Sequence, residues 1–167
     1  MAAPMPDRTI GQVMHVHADD AVNYAAKRFR YRLDFSGGSL EQVDRMLGVM
    51  YFDVPRTAWA KIKSRLTGHE PSDEELWTLS KMWGGYVGEV IRRQWGGTWK
   101  SSLQPDGSVQ ISLDVRGHRI YPCDEVRRRL VEGKGDGSTG MYRLVIQTLG
   151  PAPAVVPQGP PPLTRSD

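Results

Sequence analysis

Apolar positions recur with a period near 3.6 over the first 95 residues, switch to a period of 2 between residues 98 and 121, and then return to helical spacing. Val22, Ala25, Ala26, Phe29 and Leu33 share one face of a first predicted helix, which Asp19 or Asp20 can cap and Ser36-Gly37-Gly38 stops. Ser39 and Gln42 have capping-box spacing and open a second helix burying Leu40, Val43, Leu47 and Met50. A third helix is expected from Pro55 through Trp59, Ile62 and Leu66 to Gly68. Ser72 with Glu75 is a further capping box, and it opens the longest helix, which Gly96-Gly97 ends. On that helix Trp77, Gly84, Gly88 and Trp95 fall on one narrow arc, beside an arc of Leu76, Leu79, Trp83, Tyr86, Val87 and Val90. So wide an apolar circumference places it at the centre of a domain. Each internal glycine costs about 1 kcal/mol against alanine, and is tolerated where another element must approach the backbone.

The alternating stretch supplies the sheet. Thr98–Leu103 is a strand, Pro105-Asp106-Gly107 a turn, and Val109, Ile111, Leu113 and Val115 alternate with Gln110, Ser112 and Asp114 as one buried face. Arg116-Gly117 turns into a short strand at His118–Tyr121. Pro122 then starts a helix with Val126 and Leu130, and Ser138 caps a last one with Tyr142, Val145, Ile146 and Leu149, stopped by Gly150-Pro151. A three-stranded antiparallel meander needs its apolar face covered, and the Trp/Gly-rich helix with its flanking helices is the natural cover. The expected fold is a single two-layered α+β domain over residues 19–150. Residues 1–18 read as an irregular lead-in. Residues 151–167, with six of the twelve prolines, read as a disordered tail.

Composition narrows the setting. The 167 residues suffice for one self-supporting core, and 39% hydrophobic with 25% charged residues is ordinary for a globular protein. A net charge of +3 is too small to imply nucleic acid or membrane as partner by itself. One cysteine, Cys123, excludes an internal disulfide and suits a reducing compartment. The start MAAPMPDRTI lacks the apolar core of a signal peptide, and no apolar run is long enough to span a bilayer, so the chain reads as cytoplasmic with no membrane partner.

Three segments occur elsewhere in this order and at similar spacing: LDFSGGSLEQVDRML at 33–47, GGYVGEVIRRQWGGTW at 84–99 and YPCDEVRRRLVEGKGD at 121–136. They resemble a broad group of uncharacterised bacterial cytoplasmic proteins, a domain of unknown function. Its marks are an acidic-aromatic-Ser turn before a helix, a G-x-Y-x-G-E-V helix ending at GG-x-W, and a P-x-x-x-V-x-x-R-L-x-x-G segment. The resemblance covers about residues 19–145; it implies the fold and a bacterial cytoplasmic setting and carries over no catalytic residue.

Chemistry is harder to find. Gly84, Gly85 and Gly88 lie inside a helix and form neither a dinucleotide fingerprint nor a phosphate loop. Glu89, at helical spacing from Arg92 and Arg93, reads as a surface ion pair, with a catalytic carboxylate the sharper alternative. Cys123 and Arg129 have cysteine-phosphatase spacing, but Asp124 and Glu125 would repel a phosphate. His15 and His17 would share a face if residues 13–17 were extended, and Asp19 or Asp20 could then complete a metal site; incidental surface histidines are the plainer reading. His69 and His118 stand alone. The basic clusters at 27–32, 61–65 and 127–129 are solvated helix faces or phosphate-tracking surfaces. No catalytic, cofactor or metal site follows.

The sequence therefore favours a non-enzymatic module that binds another protein, an immunity-type blocker of a bacterial toxin being one example. Nucleic-acid binding through basic helix faces is the alternative, and an enzyme with an unrecognised site the second. The candidate partner-binding patch is Tyr51, Phe52, Asp53 and Arg56, aromatics and a cation beside the Pro55 break.

Overall fold

The structure, a computed structural model, describes residues 9–53, 72–133 and 137–152. Its first helix begins earlier than the apolar pattern suggests. Thr9 and Gln12 form a capping box and open α1 at Ile10–Tyr24, whose inner face is Met14, Ala18 and Ala21. The reading of residues 1–18 as irregular is thus corrected from residue 10 onward, and Asp19 and Asp20 sit inside the helix and do not cap it. Small and apolar residues at 14, 18 and 21 form a stripe too sparse to stand out by hydrophobicity alone. A π-helical turn, Ala25–Phe29, ends α1, and Arg30 closes it in the left-handed region.

Ser36 caps a 3-10 turn at Gly37–Ser39, which leads directly into α2 at Leu40–Asp53. The expected Ser39–Gln42 box does not form, because the Ser39 hydroxyl is taken by the Ser36 carbonyl at 2.6 Å and by the Tyr86 hydroxyl at 2.6 Å. The expected Pro55–Gly68 helix lies outside the described residues. Ser72 and Glu75 make their box and start α3, Asp73–Trp95. Every residue from Trp83 to Ile91 is buried, so α3 is the central helix that its apolar circumference implied.

Close approach explains its glycines. A Cβ on Gly84 would stand 2.6 Å from the Cys123 Cα, on Gly85 3.0 Å from the Met14 carbonyl oxygen, and on Gly88 2.2 Å from the Trp99 ring. Three different elements therefore press against one helical surface: α1, strand β1 (Thr98–Leu103) and helix α4 (Pro122–Glu132).

β1 pairs antiparallel with β2 (Val109–Val115), and β2 with β3 (His118–Ile120), giving the order β1-β2-β3. The alternation holds for Trp99, Ile111, Leu113 and Val115, all buried. It fails at the first hairpin, where the cross-strand pair Leu103 and Val109 is 76% and 49% exposed, beyond the helical cover. With helix α5 (Gly137–Leu149) the architecture is α+β, a three-stranded meander covered by the central helix and its neighbours.

The start of α5 is also capped differently from expectation. Asp44, from the middle of α2, accepts the Ser138 and Thr139 backbone N–H groups at 2.6 and 2.9 Å, a task that the pattern assigned to Ser138 itself. A cap supplied by another helix ties α2 to α5 as well as satisfying orphan donors. Asp44→Ala is expected to lower stability by about 1 kcal/mol, read from the urea midpoint. An unchanged midpoint would show that water replaces the carboxylate without loss.

Candidate functional site

Glu89 is the most heavily engaged polar side chain among the described residues. It is buried on α3, with 1% of its side chain exposed, where sequence spacing suggested a surface ion pair. Arg92 donates Nε to Oε1 at 2.7 Å and Nη2 to Oε2 at 3.0 Å, and the Trp99 indole donates to Oε1 at 2.9 Å. His15 Nδ1 lies 3.5 Å and Arg93 Nε 3.8 Å from Oε2. Burial pushes the carboxyl pKa up, but the hydrogen bonds from Arg92, Trp99 and His15 outweigh it and hold the group below the ordinary carboxylate range. A carboxylate so fully supplied with donors has little capacity to accept a substrate proton. It anchors β1 and α1 to the central helix.

Tyr86 has a comparable anchoring role near the middle of the same helix. Its hydroxyl accepts the Phe35 backbone N–H at 2.9 Å and meets Ser39 Oγ, pinning the loop before α2. Phe35 is held at a φ of +60°, with its ring 4.8 Å from that of Tyr86 and the Arg93 guanidinium 3.5 Å above it.

Cys123 is fully buried against Gly84, and burial followed by the neighbouring Asp124 pushes its thiol up to about 12. The thiol is therefore unsuited to nucleophilic attack. His15 and His17 lie on a helix, where a spacing of two turns them apart, so the shared face expected of an extended strand is absent. His15 instead faces Asp19 at 3.7 Å and Glu89, while burial and then Lys81 lower the His17 pKa. Among the described residues no group of three or more His, Cys, Asp or Glu could hold a metal.

An open concavity lies elsewhere, between β3, α4 and α5. It is a groove of about 810 Å³. Val115, Ile120, Met141, Leu144, Val145 and Leu149 give it an apolar lining, and His118, Arg119, Asp124, Glu125, Arg128 and Arg143 its polar one. Most of these charges have partners. Arg119 bonds Asp114 at 2.8 Å, Arg128 bonds Glu125 at 2.6 Å, and Asp124 accepts from Gln110 at 3.4 Å. Arg143 is exposed and pairs with no carboxylate among the described residues. Leu144 is 60% exposed, a large aliphatic side chain left in water beside it.

The sequence-derived patch divides. Tyr51 is half-buried in the last turn of α2, its ring over Gly133 so closely that a Cβ there would stand 1.9 Å from it. Phe52 and Asp53 complete the helix, with their side chains outside the described residues, and Arg56 lies wholly outside them. The groove escaped the sequence reading, which weighed His118, Asp124, Glu125 and Arg128 separately and singled out neither Arg143 nor Leu144. One signal was present: Leu144 falls off the stripe Tyr142, Val145, Ile146 and Leu149, an apolar residue with no place in the buried face.

The chain matches no protein-family model, and comparison with curated proteins and with solved structures yields no match.

Proposed function

We propose that this protein is a non-enzymatic module that binds another protein through the groove between β3, α4 and α5. The observation that carries the reading is the exposed Leu144 beside Arg143, which pairs with no carboxylate among the described residues, on an apolar-lined concavity of about 810 Å³. Interfaces combine apolar centres with arginine anchors. Three arginines stand against two carboxylates in the lining, so the favoured occupant is a segment with aliphatic side chains flanked by acidic ones. Support also comes from what the buried groups do: Glu89 and Cys123, the two side chains with the most chemical promise, are consumed by packing and hydrogen bonding.

The test is site-specific photo-crosslinking in the native cell, with a benzophenone side chain at position 144 and a control at Ser102, an exposed site on β1. One discrete protein adduct is expected at 144 and none at 102, with the adduct reduced at least tenfold by Arg143→Glu. Equal labelling at both sites, or an adduct indifferent to Arg143→Glu, would end the reading.

A further inference from the structure

The stretch from Lys27 to Arg32, Lys-Arg-Phe-Arg-Tyr-Arg, carries four cations in six residues, and all four are exposed. None of them forms an ion pair with any described residue, whereas Arg92, Arg93, Lys100, Arg119, Arg127 and Arg128 all do. The acid that follows, Asp34, is turned onto the Ser36 backbone N–H at 3.0 Å. Phe29 and Tyr31 alternate with the cations and are half-buried, each packed against the core, with the Phe29 ring 6.2 Å from that of Tyr24.

Folding accounts for only half of this charge. Lys27 and Arg28 sit in the last turn of the helix, where cations are favoured by the carbonyl end of the dipole. Arg30 and Arg32 lie at and beyond the end. Arg30 also occupies the left-handed capping position, with φ of +61°, where a side chain is strained. The chain uses glycine for the same purpose elsewhere, at Gly133 after α4 and Gly150 after α5, with φ of +66° and +79°. At residue 30 the cation is kept against the backbone preference. Beyond it, the chain stays irregular up to the 3-10 turn at Gly37, and on the way the Phe35 ring lies beneath the Arg93 guanidinium.

We infer that the segment Lys27–Arg32 binds a single nucleic-acid strand, its four cations contacting phosphates and the Phe29 and Tyr31 rings offering faces to adjacent bases. Cations interleaved with aromatic residues, running from the end of a helix onto an irregular stretch, suit the flexible backbone and unstacked bases of a single strand. The inference is independent of the groove, which shares none of these residues.

Fluorescence anisotropy of the full chain with labelled 20-nucleotide oligo(dT) and oligo(U) tests it, between 50 and 200 mM salt. Contact with four phosphates predicts a slope of log K on log salt of about −2.8, an affinity loss of roughly 50-fold over that range. Arg30→Gly with Arg32→Ala is expected to halve the slope, leaving a loss of roughly sevenfold. Arg30→Gly alone should also leave the melting temperature equal or higher, since it relieves the strained cap; weaker binding by a protein that is no less stable separates a binding role from a structural one. Lys100→Ala, an exposed cation on β1 outside the groove, is the control and should not alter the slope. The inference is overturned by absence of binding at 50 mM salt or by a slope unchanged in the double variant. It is equally overturned by tighter association with duplex DNA or with phosphatidylserine vesicles than with the single strands.

Discussion

Gly84→Ala should destabilise the protein by about 1–3 kcal/mol, and Gly88→Leu by at least as much, which is the usual cost of forcing atoms into a packed core. The sign is the informative aspect. In a solvent-facing helix interior, glycine to alanine stabilises by about 1 kcal/mol. At Gly84 the new methyl meets the Cys123 backbone at 2.6–2.7 Å, and backbone in the first turn of α4 cannot rotate aside. At Gly88 it meets the Trp99 ring, which its hydrogen bond to Glu89 and near-complete burial hold in place. Either substitution must push α4 or β1 off the central helix. Urea unfolding of the two variants beside the parent measures the effect. A raised midpoint for Gly84→Ala would mean that α4 does not lie on this face.

The second large effect is expected at Glu89. Removing one member of a buried charge network leaves its partners uncompensated, at about 3 kcal/mol for Glu89→Ala, near the lower end of such cases because Arg92 and His15 reach solvent. Glu89→Gln keeps the shape and one acceptor and should lose less. The pH dependence follows from the depressed carboxyl pKa. A group that titrates lower in the folded than in the unfolded state stabilises the fold fully above its ordinary value of about 4.5, and that contribution fades as pH falls through the folded pKa. The stability gap between parent and Glu89→Gln should therefore be constant near neutrality and close in acid. A gap that widens below pH 4.5, or none at pH 7, would contradict the network described here.

The exposed arginine pairs offer no comparable leverage. Arg119 and Lys100 hold the Asp114 carboxyl far below its usual range, yet all three side chains meet water, where such pairs contribute little.

Much of the architecture was legible from local pattern. The Ser72–Glu75 box, the central position of the Trp/Gly-rich helix, the change of period at Thr98 and the proline start at Pro122 are each written in neighbouring residues. Local signals of this kind depend on a side chain and backbone groups three or four residues away, so they survive without knowledge of the fold. Where a distant residue intervened, the local reading failed. Ser39 has the spacing of a cap for α2, but the Tyr86 hydroxyl, 47 residues away, competes for its Oγ. Ser138 has the position of a cap for α5, but Asp44 occupies the site 94 residues before it.

The same division holds for the candidate sites. The sequence alone determined the strands, the helix at the centre and the basic run at 27–32, though not the start of α1, because periodicity, capping and charge density are properties of contiguous residues. Only the tertiary structure decided that Glu89 is an internal anchor and that Cys123 is inert. It alone showed that Arg143 and Leu144 border a groove and that Arg30 holds a backbone conformation better suited to glycine. Burial, ion pairing and the joining of β3, α4 and α5 around one concavity are set by which surfaces meet in space, and sequence spacing carries no record of those meetings.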